Sequence, residues 1–363
     1  MWLWKSGPRL WTLSSRLIMH VFLYEWVTGG GLVEEPGPLP RSLLTEGAAM
    51  LTALAADFLA IDGVRVSMLQ DIRADALVLP GCEVVEVHSR EHQREEFAEL
   101  AAEADHTLVI APEIDNVLLQ TNTMTREAGG RLLAASDQFV ALTSDKHQTA
   151  ERLAEAGVPM PEAILLEADE ESLPSDFLYP GVLKPVHGAG SQHMLLVANA
   201  HDEPPAYSWP RRLERFCPGI AASVSFLCGP AHRVPLPACR QHLSGDGRFT
   251  YTGGSRLLET ELVRRATALA DRVLDALPPA LGYVGVDLVL GKSGDGSEDV
   301  AVEVNPRLTT SYVGLRAIAQ DNLAAAMLEN AAGRVSSPRF RDVADGGAVE
   351  FFPDGTICQP QES

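Results

Sequence analysis

Two short segments late in the chain carry the residue types best suited to chemistry. Residues 284–290 read VGVDLVL and residues 300–305 read VAVEVN, with a Gly-, Ser- and Asp-rich stretch between them. Side chains alternate across a strand, so Val284, Val286, Leu288 and Leu290 define one apolar face and Asp287 points the other way. By the same parity Val302 and Val304 share a face, and Glu303 and Asn305 share the opposite one. If the segments pair as a hairpin in register, Asp287, Glu303 and Asn305 form one patch of oxygen donors. Hard oxygen ligands suit Mg²⁺, with Mn²⁺ as the alternative ion, and two neighbouring buried carboxylates repel each other without a cation. The competing reading is a solvated sheet face. Arg307 follows at once, after Pro306. Its guanidinium could grip a transferring phosphoryl group or an oxyanion, or simply neutralise Glu303.

A second set of residues suits a nucleotide. Residues 182–191 read VLKPVHGAGS: a strand delivers Lys184, Pro185 stops it, and Gly188 and Gly190 make a loop that ends on Ser191. Glycines let backbone N–H groups approach phosphate oxygens, and the lysine adds a point charge. The lysine precedes the glycines, so this is not a Walker A loop. His187 fits a loop position near phosphate better than a general base. Lys146 falls in the first turn of a helix that Ser144 is expected to cap. A cation there opposes the helix dipole, which makes a ligand-binding role attractive, with a simple exposed lysine as the equal alternative. Residues 215–219 (RFCPG) lead into an apolar strand, and their backbone groups and Phe216 suit the edge and face of an adenine. ATP and a divalent cation are the expected cofactors.

These residues need elements to position them. Residues 20–27 read as a buried strand ending in the turn Thr28-Gly29-Gly30-Gly31, followed by a helix over 43–61 and a strand over 64–69. A strand at 83–87, a polar helix at 91–103 and a strand at 107–110 continue the alternation, which predicts a parallel α/β lobe. After a helix from 144 to 156 the style changes. Short strands at 163–166, 181–185, 194–197 and 223–227 predict a mainly antiparallel lobe; a helix at 260–277 and the two late strands follow. The expected division is an extension over 1–19, an α/β lobe over 20–140, a small lobe over 141–228, a larger lobe with the metal site over 229–345, and a tail over 346–363. Met19 reads as the opening of the first lobe.

Composition narrows the function. The 363 residues carry a formal net charge of −20, which argues against nucleic acid or an anionic membrane as partner. No apolar run free of charges reaches the length of a membrane span. The five cysteines, Cys82, Cys217, Cys228, Cys239 and Cys358, show no CxxC spacing. Neither a zinc site nor a disulfide framework is expected, and a reducing cytoplasm fits best.

Taken in order, these pieces resemble the ATP-grasp superfamily, which implies an α/β protein of α+β lobes with an N-terminal parallel pre-ATP-grasp lobe. On that resemblance the two lysines are Lys146 and Lys184, and the lid loop is His187–Ser191. The adenine hinge is Glu214, Arg215, Phe216 and Cys217, the acidic metal ligand is Asp287, and the closing E-x-N-P-R strand is Glu303 to Arg307. Many members place a Glu just past the hinge for the ribose; Ile220-Ala221-Ala222 offers none, leaving Ser223 or Glu214 as substitutes. The strings EVNPRLTTSYVGL (303–315) and YEWVTGGG (24–31), and Arg240-Gln241 followed by YTGG (251–254), are similar to the tyramine–glutamate ligase group of methanofuran-type cofactor synthesis. That resemblance implies a two-step ligation of small-molecule carboxylate and amine substrates. ATP phosphorylates the γ-carboxylate of glutamate, and an amine such as tyramine or tyrosine displaces phosphate, with Lys184 and Arg307 as the catalytic cations. Glu25, Arg240, Ser311 and Tyr312 are the expected substrate contacts, with Thr309 and Thr310 equally suited to capping the next helix. A homodimer is expected by analogy only. A ligase for other amino acids or dipeptides, and a nucleotide-binding regulator without turnover, are the alternative readings.

Overall fold

The computed structural model describes residues 19–75, 79–170, 172–188, 191–342 and 347–359. Residues 1–18 of the expected extension and Gly190 of the lid loop therefore lie outside the described residues.

The first lobe alternates strand and helix. Its elements are β1 (Met19–Glu25), α1 (Arg41–Leu59), β2 (Val64–Asp71), β3 (Cys82–Val87), α2 (Arg90–Glu103) and β4 (His106–Ile110). The strands are parallel throughout, in the order β3-β2-β1-β4. The order reverses between β1 and β4, so the carboxyl ends of those two strands flank a crevice. Helix α1 is long and apolar enough to cross a membrane by length and composition alone; here Leu51, Leu54 and Phe58 are fully buried in the core.

Two helices that periodicity did not reveal, α3 (Val117–Glu127) and α4 (Asp137–Ser144), lead to α5 (Lys146–Glu155). Ser144 does not cap α5, contrary to expectation. It ends α4, and the Asp145 carboxylate caps α5 by accepting from the backbone N–H groups of His147 and Gln148. The acid supplies the negative charge that the helix start favours, which offsets the lysine beside it.

Strands β5 (Ala163–Leu166), β6 (Gly181–Pro185), β7 (Leu195–Val197) and β8 (Arg211–Arg215) make a small antiparallel sheet in the order β5-β8-β6-β7. The larger sheet contains β9 (Ile220–Cys228), β10 (Arg233–Pro235), β11 (Cys239–Leu243) and β12 (Tyr251–Arg256). After α6 (Thr260–Asp275) it gains β13 (Gly282–Leu290) and β14 (Val300–Asn305). Helices α7 (Ser311–Ile318) and α8 (Leu323–Ala331) pack behind it. The segment expected to be a tail instead holds β15 (Glu350–Phe351) and β16 (Ile357–Cys358). They extend the sheet from β12, giving the order β14-β13-β9-β11-β12-β15-β16. Phe351 is 1% exposed, and the absence of side chains at Gly254 and Gly314 makes room for its ring.

Candidate active site

The hairpin β13–β14 pairs Asp287 directly with Glu303, and Gly285 with Asn305. A bulge after Asp287 shifts the register beyond that point. The loop joining the strands is clamped by the buried Arg265–Asp299 ion pair, with Asp299 also accepting from Gly291 N–H and Arg265 donating to Gly291 O.

Asp287 Oδ1 accepts from Gln241 Nε2 at 2.9 Å, and its Oδ2 from Asn305 Nδ2 at 3.0 Å. Burial, then the facing Glu303 charge, push the Asp287 carboxyl up to about 7 despite those bonds. Burial alone would raise Glu303 too, but Lys146, then Lys184 and Arg307, outweigh it and hold that carboxyl below the ordinary range. This donor set of two opposed carboxylates and a neighbouring amide suits a hard divalent cation, which would relieve the repulsion that raises Asp287.

The two lysines approach from other elements. Lys146 Nζ lies 2.9 Å from Glu303 Oε1 and donates to Gly188 O at 2.6 Å. One ammonium thus joins the start of α5, the loop after β6 and strand β14. Lys184 Nζ lies 2.9 Å from Glu214 Oε2 and 3.4 Å from the carbonyl oxygen of Val302. Glu214 is also held by Arg212 Nε at 2.6 Å. Both of its carboxylate oxygens are therefore engaged by cations, so its side chain is poorly placed to serve the ribose.

A cavity of about 530 Å³ runs between the two antiparallel sheets. Lys184, Ser191, Glu214, Arg215, Phe216 and Cys217 line it on one side; Asp287, Glu303, Asn305 and Arg307 line it on the other. Ser223 also faces it, as do Arg240 and Ser311. Arg240 pairs with Glu259 at 3.3 Å across an exposed surface. Ser311 shares its hydroxyl with Ser225, Tyr283 and Thr309, at 3.1, 3.1 and 2.8 Å. Arg307 is 2.9 Å from Glu113 Oε1 and donates to Glu113 Oε2 at 3.0 Å.

Three expected contacts lie elsewhere. Tyr312 is fully buried and its hydroxyl donates to Asp57 of α1 at 2.7 Å, because its helical position turns it toward the first lobe rather than the cavity. His187 approaches Ser144 O through Nδ1 at 3.1 Å and does not line the cavity. Glu25 sits apart, 4% exposed, accepting from the backbone N–H groups of Val27 and Thr28.

Sequence reasoning passed over four side chains at the site. Gln241 orients Asp287, Glu113 holds Arg307, Glu46 lines the cavity from α1, and Phe249 stands 6.2 Å from Phe216 with the rings 28° from parallel. Phe249 has a φ of 54°, an uncommon conformation for a bulky residue. Only Gln241 carried a sequence signal, as part of a short resemblance; the others meet the site through tertiary contacts.

An ATP-grasp domain matches residues 143–311 and a pre-ATP-grasp domain matches residues 64–140. The tyramine–L-glutamate ligase of Methanocaldococcus fervens is 24% identical over 314 residues, covering 86% of this chain and 94% of the relative. An ATP-grasp superfamily protein from Archaeoglobus fulgidus superposes with a TM-score of 0.66 at 22% identity, covering 92% of each chain. The ADP complex of an N5-carboxyaminoimidazole ribonucleotide synthetase gives a TM-score of 0.67 at 16% identity, covering 93% of this chain and 83% of that one.

Proposed function

Since the chain belongs to the ATP-grasp superfamily, we propose that it is an ATP-dependent carboxylate–amine ligase that joins L-glutamate to tyramine or a closely related amine. The observation that carries the ligase chemistry is the register of β13 and β14. It sets Asp287 against Glu303 in a cavity that Lys184 and Arg307 also line, with Lys146 bound to Glu303. The choice of glutamate and tyramine rests on likeness to the Methanocaldococcus enzyme across most of both chains.

In this reading Asp287, Glu303 and Asn305 would hold Mg²⁺, which would supply charge neutralisation to the phosphates. Lys184 and Lys146 hold the phosphates of ATP, and Phe216 with Arg215 and Cys217 receives the adenine. The γ-carboxylate of glutamate attacks the terminal phosphorus, forming an acyl phosphate and releasing ADP. The amine nitrogen then adds to the acyl carbon. The C–N bond forms, the C–O bond to phosphate breaks, and the nitrogen gives up a proton. Arg307, fixed by Glu113, faces the oxyanion of that step. The geometry requires no covalent intermediate on a protein side chain.

Mass spectrometry of products from ATP, Mg²⁺, glutamate and a panel of amines tests this directly. The expected product is a glutamyl amide of tyramine formed with stoichiometric ADP and phosphate. ADP release only with other amino acids would replace the substrate assignment. ATP binding without release under every acceptor would replace the ligase reading with a regulatory one.

A further inference from the structure

A second, smaller cavity of about 70 Å³ meets the main one at Glu46, Arg307 and Thr310. Its far walls come from the first lobe. Glu25 and Val27 lie at and just past the end of β1, and Ile110, Ala111 and Pro112 at and just past the end of β4. The cavity thus occupies the crevice where the order of the parallel sheet reverses, the place in such sheets where ligands bind. Leu43, Glu46, Gly47 and Met50 complete it. Their spacing of i, i+3, i+4 and i+7 puts them on one face of α1.

The charges in this crevice are unequal. Arg307 is already matched by Glu113 at 2.9 Å. Arg307 also feels Glu25 and Glu46 at longer range, but neither acid makes a direct ion pair among the described residues: Glu25 is held by Val27 and Thr28, and Glu46 by the more distant Arg307 charge alone. The helix has also yielded space for one acid. A Cβ on Gly47 would lie 2.4 Å from the Glu25 carboxylate carbon, so glycine occupies a helix interior where it is intrinsically unfavourable. Two acids against walls of Val27, Leu43, Met50 and Ile110 describe a receptor for a cation with an apolar body.

We infer that this crevice is the acceptor subsite of the ligase, holding a primary ammonium ion against Glu46 and Glu25 with its hydrocarbon part along the apolar wall. The inference rests on the ligase reading above. It places the incoming nitrogen beside Arg307, at the junction with the main cavity; there the ammonium passes one proton to a Glu46 or Glu25 carboxylate, the neutral amine adds to the acyl carbon, and its second proton leaves with the departing phosphate.

Two nucleophiles separate this subsite from the rest of the reaction. Hydroxylamine is small and uncharged near neutral pH, and it converts an acyl phosphate to a hydroxamate without needing an ammonium pocket. The full chain is assayed with ATP, Mg²⁺ and glutamate, using tyramine or hydroxylamine, as wild type, Glu46→Gln and Leu43→Trp. In both variants the KM for tyramine should rise about tenfold more than the KM for hydroxylamine. Equal changes for the two nucleophiles in both variants would overturn the acceptor site while leaving the ligase intact. Absence of hydroxamate from the wild type would overturn the ligase reading, and the subsite with it.

Discussion

Lys184 is 2% exposed and shares Glu214 with Arg212. Lys184→Ala leaves Glu214 paired, so the fold should persist while calorimetric affinity for ADP falls about 10- to 100-fold, as for loss of a hydrogen bond to a charged group. Unchanged affinity would remove Lys184 from the phosphate site. Glu303→Gln should retain the circular dichroism of the parent but lower Mg²⁺-dependent phosphate release by about 100-fold or more; undiminished turnover would refute the metal assignment. Glu25 offers a pH signature. Burial raises its carboxyl to about 7, whereas the unfolded chain ionises near the ordinary 4.5. Between those values the folded state binds more protons, so stability declines as pH rises through the window and levels off above it. Glu25→Gln removes that slope. Urea unfolding at about pH 5 and about pH 8 should show a loss smaller by up to ~3 kcal/mol in the variant. Equal losses would mean that Glu25 is ionised throughout.

At the scale of elements, Gly47→Ala sets propensity against packing. Alanine would favour α1 by roughly 1 kcal/mol, but the new Cβ meets the Glu25 carboxylate, which is tied to Val27 and Thr28. The substitution should therefore destabilise by about 1–3 kcal/mol. It should become stabilising in a Glu25→Ala background, a sign change that a double-mutant cycle reads directly. Elements also show where the sequence was legible. The hairpin parity of Asp287, Glu303 and Asn305 was readable because β13 alternates cleanly, and the first-lobe strands because their apolar runs are bounded by turns. Strand β8 was not: Arg212 and Glu214 are buried charges that pair only in the folded sheet, and the buried Arg211 donates to the carbonyl oxygens of Pro205 and Glu170, so hydropathy hid them. Strand β12, with Gly253 and Gly254, lacks the bulky residues that mark a strand, because Phe351 and its neighbours approach its backbone closely. The crevice acid Glu46 belongs to an apolar helix, and nothing local distinguishes it from a solvated residue.

For the whole molecule, the site depends on segments far apart in the chain. Tyr312 and Arg316 of α7 reach Asp57 of α1, and Arg307 reaches Glu113. The helix after the E-x-N-P-R strand is thereby fixed to the first lobe. The last strands matter equally. Phe351→Ala should cost about 3–5 kcal/mol, seen as a lower urea midpoint at unchanged m-value. A loss within experimental scatter would show that the closing strands contribute little. Since Phe351 also lines the main cavity, shortening the chain before residue 350 should impair activity as well as stability.

The Arg265–Asp299 clamp separates two properties that a hairpin normally couples: the length of its loop and the alignment of its strands. Slippage by one residue would turn Glu303 away from Asp287. The clamp secures both ends of the connection, binding Gly291 at one end and Asp299 at the other. The intervening tip over 292–298, largely exposed, can then vary in length without transmitting the change to the carboxylate pair. For protein engineering, that tip is a permissive insertion point, where a short peptide tag could be grafted while the spacing of the two carboxylates is preserved.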